Sequence, residues 1–199
     1  MIHPDTSIIE ISPTVGLGVA ATARIPKGTL VWVQDRFDRV VARDEGLTLD
    51  AEHRAVLDRY AHLDRHGNWI LCWDAGRLVN HACDPALRGL GPNVMVARRD
   101  LEPGDEVTCD YAECNIEWSL ECSCKSSTCR GSIHARDLLR FASAWDEEAR
   151  LLAVDARSVE QPLLSFAVDR DDVTAFIAGS LAIPSFAAQS PLHDQPGST

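Results

Sequence analysis

The chain has 199 residues, of which 45% are hydrophobic and 25% charged, the proportions of one folded globular unit rather than of a disordered chain. It has no run of eighteen apolar residues, and its opening, MIHPDTSIIEIS, lacks a basic segment followed by an apolar stretch. Neither a membrane span nor an export signal is therefore expected, and a cytoplasmic location is. Thirty acidic residues against nineteen basic ones leave a net charge of −11, which disfavours direct binding to nucleic acid and suits a cationic partner.

The first third reads as short β-elements. Residues 7–11 (SIIEI) and 29–33 (TLVWV) are rich in β-branched side chains, and Gly16, Gly18, Pro26 and Gly28 punctuate the chain between them. Residues 48–63 change to helical spacing, with Thr48 or Asp50 as cap and Ala55, Val56, Tyr60 and Leu63 along one face. Strands are expected again at 69–73, 93–97 and 106–109, the last entered through the turn Glu102-Pro103-Gly104-Asp105. After Gly131 the pattern is helical, with Ile133, Leu138, Leu139, Phe141, Ala142, Trp145, Leu151 and Leu152 as an apolar face, and a second helix is expected near 173–181. The tail 189–199 is polar and Pro-containing and reads as disordered.

Seven cysteines are an odd number for a disulfide framework, and three crowd into Cys122-x-Cys124-x4-Cys129. That density fits three thiolates on one tetrahedral zinc, with a fourth ligand from elsewhere. Cys72, Cys83, Cys109, Cys114 and His134 are the candidates. Four protein ligands leave no open position, so such a metal is structural.

Four separated motifs resemble, in order, those of the SET-domain protein lysine methyltransferases with a post-SET zinc loop, in their free-standing bacterial form. Gly16-Leu17-Gly18 followed by Ile25-Pro26-Lys27-Gly28 is similar to the family's opening motif. Residues 77–85, RLVNHACDP, resemble its Arg-Phe-x-Asn-His-Ser-Cys-x-Pro. Residues 104–111, GDEVTCDY, resemble its Gly-Glu-Glu-Leu-Thr-Phe-Asp-Tyr, and the cysteine loop with Arg130-Gly131 is similar to its post-SET signature.

The resemblance implies an α+β, mostly β SET fold of small sheets with a knotted C-terminal threading. It implies a catalytic domain over 1–117 with a helical insert at about 48–64, and a zinc loop over 118–131. The helical residues 132–188 lie beyond the motifs and are expected to pack on the catalytic unit or on a second copy of the chain as a homodimer. The implied cofactors are S-adenosylmethionine and structural Zn²⁺, the latter on Cys83, Cys122, Cys124 and Cys129. Gly16, Leu17, Gly18, Asn80 and His81 would contact the cofactor, a side chain at Gly18 obstructing its approach, and Trp118 would cover the adenine. Tyr111 matches the catalytic tyrosine, and Tyr60 stands where a second active-site tyrosine often lies. Arg77 and Asp74 read as a paired charge beneath the site.

The implied reaction moves a methyl group to a lysine amine of a cationic protein or peptide. A small amine or peptide acceptor, or a zinc-stapled binding module without transfer activity, are the rival readings. Cys109 occupies a position that holds Phe or Tyr in the family. Being smaller, it leaves space for a methylated amine to turn, so di- or trimethyl product is expected.

Overall fold

The computed structural model describes residues 1–192. Its strands are short and arranged in five small sheets, with four α-helices, a mixed α+β architecture without a closed barrel. The elements run β1 (Thr6–Ser12), β2 (Gly16–Ala21), β3 (Leu30–Val33), β4 (Arg39–Val41), α1 (Arg43–Thr48), α2 (Ala51–Tyr60), β5 (Ala61–Leu63), β6 (Trp69–Leu71), β7 (Asn80–His81), β8 (Leu87–Gly89), β9 (Val94–Ala97), β10 (Thr108–Cys109), β11 (Leu120–Glu121), β12 (Ser132–Ile133), α3 (Asp137–Ala156) and α4 (Arg170–Ala178). Short 3₁₀ turns fall between some of these. No helix of the described residues is long and apolar enough to cross a membrane.

The glycine-punctuated segment after β1 is itself a strand. β1 pairs with β2 antiparallel from Thr6↔Ala21 to Ile9↔Gly18, and a register shift between Glu10 and Ser12 admits the turn that begins β2. Gly16 takes φ +87°, a backbone conformation that favours glycine. The middle of the chain forms two three-stranded sheets, ordered β3-β9-β8 and β4-β6-β5. The helical insert is shorter than its apolar spacing suggests. Asp50 caps α2 by accepting from the His53 amide, and the helix stops at Tyr60, because Ala61 to Leu63 are drawn into a strand beside β6. The preceding α1 has no clear apolar period and was not expected.

One strip of chain, residues 105–109, joins what would otherwise be separate pieces. On one side the Val107 amide donates to Val19 O (2.8 Å) and the Ala21 amide to Asp105 O (3.0 Å). On the other, β10 lies parallel to β7, with Thr108 opposite Asn80 and Cys109 opposite His81. The turn that precedes the strip closes through the Asp105 amide on Glu102 O, with Gly104 at φ +94°.

Three apolar clusters support this frame. The largest joins β3 and β9 to the C-terminal helices. Along α3 the buried residues Leu138, Ala142, Trp145, Ala149, Leu152 and Ala156 recur at intervals of three and four, so one stripe is spent on the β-core. The stripe differs from the expected one at its ends. Ile133 belongs to β12, where it faces Leu120, and Leu151 points outward at 61% exposure. The residues after 136 therefore pack on the same chain. Residues 189–192, expected to be disordered, are packed as well: Ser190 is buried, and Gln189 O accepts from the Asn115 side chain at 3.0 Å. The rest of that tail, 193–199, lies outside the described residues.

Candidate active site

Asn80 is where the strip acts first. Its Nδ2 donates to Leu17 O (3.2 Å) and to Glu106 Oε1 (3.0 Å), so one amide ties β2, β7 and the strip together. Gly18 is required by this contact. A Cβ there would stand 2.7 Å from Asn80 Nδ2 and 2.7 Å from Ile11 Cγ1, whereas one at Gly16 would meet nothing. A side chain on Gly18 would displace Asn80, one of the residues expected to contact a cofactor. Leu17, between the glycines, is half exposed, so this edge of β2 is open to solvent.

His81 is held at both nitrogens. Nδ1 accepts from the Tyr111 amide (3.2 Å), which leaves the ring proton on Nε2, 3.3 Å from Cys83 Sγ. Burial lowers its pKa, which Asp110 opposes and Arg130 assists, so the ring is neutral. Its task is to join the Tyr111 turn to the cysteine cluster.

Tyr111 opens a 3₁₀ turn that Asp110 caps by accepting from the Ala112 amide. The Tyr111 hydroxyl donates to Val79 O at 3.1 Å. Burial, and then the neighbouring Cys109, Cys114 and Glu106, push its pKa well above the usual phenol range. It is therefore a fixed neutral hydroxyl, a donor to Val79 with its oxygen lone pairs free to accept.

A half-enclosed cavity of about 540 Å³ adjoins Tyr111. Val79 and Cys109 form wall near the tyrosine, and Tyr60 and Trp118 also line it. Cys109 is 5% exposed, with its Sγ 4.0 Å from that of Cys114. No hydrogen bond holds the Tyr60 hydroxyl among the described residues, and its ring lies under the Arg59 guanidinium, 5.3 Å from ring centre to Cζ. Trp118 is 44% exposed. Gly16, Leu17, Gly18, Asn80 and His81 do not line this cavity, so the predicted site residues fall into two groups. One is the β2–β7 edge and the other is the cavity, and Val79, Tyr111 and the strip join them.

The cysteines converge beside this junction. The Sγ atoms of Cys83 and Cys122 are 3.7 Å apart, as are those of Cys122 and Cys129, and Cys124 Sγ accepts from the Cys83 amide (3.4 Å). Thiolates at about 2.3 Å from a tetrahedral zinc stand about 3.8 Å from one another, so the spacing fits that ion. Burial raises the Cys124 thiol, but amide donors and the neighbouring thiols outweigh it and bring its pKa down to about 7. The ligand atoms of His81, Cys83, Cys122 and Cys124 lie within 4.8 Å of one another, making His81 a fifth possible donor. Its Nδ1 serves the Tyr111 amide and its Nε2 faces Cys83 Sγ, while Cys129, 3.7 Å from Cys122 Sγ to Sγ, lies outside that group of four.

Three residues that sequence reasoning gave no role hold this arrangement: Glu106, Asp110 and Arg130. The nearly fully buried Asp110 accepts from Arg130 Nη2 at 2.7 Å, and the Arg130 amide points at Cys83 Sγ (3.4 Å). All three lie inside recognised motifs, and that position was the available signal. One expected pair is absent. Asp74 accepts from the amides of Ile2 and Gly76, while Arg77 donates to Trp73 O and has no carboxylate partner among the described residues.

With this geometry in view, comparison with known proteins defines a class: residues 16–112 match the SET domain family. A histone-lysine N-methyltransferase, H3 lysine-4 specific, of Cryptococcus neoformans var. neoformans serotype D (strain B-3501A) is 34% identical over 86 residues, 36% of this chain and 6% of that protein. Histone-lysine N-methyltransferase ash1 of Drosophila melanogaster is 36% identical over 137 residues, 59% of this chain and 6% of that protein. The methyltransferase domain of human histone-lysine N-methyltransferase SETMAR superposes with a TM-score of 0.46 at 18% identity, covering 66% of this chain and 57% of that one. The present chain thus spans a small part of these two sequence relatives. Residues 16–112, just under half of the chain, are similar to a SET domain.

The buried Asp110–Arg130 pair gives a stability test. Arg130→Ala leaves the Asp110 carboxylate uncompensated and should cost about 3–5 kcal/mol in urea unfolding. Asp110→Asn in the same chain should recover part of that loss.

Proposed function

We propose that this chain transfers a methyl group from S-adenosylmethionine to a lysine side-chain amine of a protein. The observation that carries the reading is the Tyr111 hydroxyl, fixed on Val79 O at the cavity wall, one residue along the chain from the Asn80–His81 edge. The similarity to the SET domain family and to two histone-lysine methyltransferases supports it. When bound, S-adenosylmethionine supplies an electrophilic methyl on a sulfonium. The half-exposed edge at Gly16, Leu17 and Gly18, with Asn80 and His81 behind it, would hold that cofactor. Trp118 would close over it from the cysteine-loop side.

The acceptor lysine would enter through the cavity on the other side. A free lysine, with a pKa near 10.4, is mostly ammonium at neutral pH. An apolar wall of Val79 and Cys109 disfavours that charged form, as the raised phenol pKa of Tyr111 indicates. With its proton committed to Val79 O, Tyr111 can accept an N–H of the neutral amine and aim the nitrogen lone pair along the channel. It positions the amine and is not a base. Tyr60, on the same wall with an unused hydroxyl, would be the second contact to the acceptor. In-line alignment of this kind can contribute several kcal/mol to the barrier. Zinc on Cys83, Cys122, Cys124 and Cys129 would keep the cysteine loop on the end of β7.

Three measurements check the reading. Tyr111→Phe should bind cofactor within a few-fold of the native protein in calorimetry, yet lower transfer of labelled methyl to lysine-containing protein about 10²-fold or more. Elemental analysis should return one zinc per chain, and Cys124→Ser should lose it together with cofactor affinity; stoichiometric zinc in that variant would put the ligand set in error. Mass spectrometry should find di- or trimethyllysine from the native enzyme, because Cys109 leaves room for a methylated amine to turn. Cys109→Tyr should shift the product toward monomethyl.

A further inference from the structure

The charge around the cavity runs against the charge of the chain. Among the described residues three carboxylates line the cavity, and each is already paired with an arginine of the chain, Asp58 and Glu117 at the surface and Glu113 in the interior. Asp58 accepts from Arg54 Nε at 2.8 Å, Glu117 pairs with Arg43 at 2.8 Å, and the buried Glu113 is held by Arg88. His62, also in the wall, is kept neutral because burial lowers its pKa to about 4. Two arginines remain. Arg59, at the end of α2, has only the Tyr60 ring beneath it, and Arg77, on the 3₁₀ turn Ala75–Leu78, spends one donor on the Trp73 carbonyl. Both are exposed, both line the cavity, and neither has a carboxylate partner among the described residues.

We infer that the acceptor lysine is presented in an acidic segment, whose Asp or Glu side chains pair with Arg59 and Arg77. This rests on the lysine-methyltransferase reading and names the substrate class for the same cavity. An arginine fork matches a carboxylate in geometry as well as charge. Basic flanks would instead set like charges against two arginines that have no carboxylate partner among the described residues. The net charge of −11 does not reverse the preference. Exposed charges farther than about 8 Å away are largely screened at physiological salt, so the contacts at the mouth decide. The two arginines also favour loss of the lysine proton as the amine enters, in the direction methyl transfer needs.

The test uses two degenerate peptide pools, each with one central lysine. One has flanks drawn from Asp, Glu and neutral residues, the other from Arg and neutral residues. Binding is read by fluorescence anisotropy on the full chain with cofactor, and methyl transfer by mass spectrometry. The acidic pool should bind about tenfold tighter and be methylated faster, with the difference shrinking as salt rises. The double variant Arg59→Glu/Arg77→Glu should lose or invert that preference while keeping its melting temperature and cofactor affinity. Equal binding of the pools, tighter binding of the basic pool, no binding of either, or a preference unmoved by charge reversal would overturn the inference. Selective binding of the acidic pool with no methyl on any lysine would leave the carboxylate preference standing and refute the methyltransferase reading.

Discussion

Everything in the site depends on one strip of backbone being hydrogen-bonded on both edges. Residues 105–109 take β2 on one side and β7 on the other, and so bridge the two strands through the backbone. The pairing is cheap in side chains, since the ladder is made by amides and carbonyls. Asn80, His81 and Tyr111 are therefore left to face the space around the junction. Two of the three then reinforce it: Asn80 reaches Leu17 and Glu106, and His81 receives the Tyr111 amide. A parallel pair of only two residues per strand is weak alone, and these side-chain bonds are what fix its register.

The cysteine loop is the second constraint, and it is coupled to the first by charge. Arg130 brings its guanidinium to Asp110 and its amide to Cys83, so the loop is tied to the residue that caps the Tyr111 turn. A loop with only the two-residue pairing of β11 with β12 has no core of its own. Converging thiols and the Asp110–Arg130 ion pair give that loop contacts that apolar burial alone does not supply.

The parts legible in the sequence were those whose signal is local. The motif around Asn80 and His81, the tyrosine after Asp110 and the spacing of the three loop cysteines could each be read from a few adjacent residues. What failed depended on partners far along the chain. The segment bearing Gly16 and Gly18 looked like a turn because glycines usually mark turns, but β1 recruits it as a strand, and Gly18 answers to Asn80, sixty-two residues later. Arg77 and Asp74 read as a paired charge beneath the site, yet Asp74 is consumed by two backbone amides. The helical pattern at 48–63 ran past the true end of α2 because apolar period alone does not register a competing strand. Composition gave a sum of charges but no account of which were already paired.

Asn115 carries a different kind of consequence. Its Nδ2 donates to Leu63 O at 3.1 Å and to Gln189 O at 3.0 Å, so a residue just after the Tyr111 turn fastens the helical insert to a segment more than seventy residues downstream. Phe186 and Gln189 of that segment line the cavity. The enclosure is thus assembled in part from stretches that lie outside β7 and β10. A chimera that exchanges residues 184–192 is therefore the natural unit for reshaping the cavity wall while leaving β7, β10 and Tyr111 untouched.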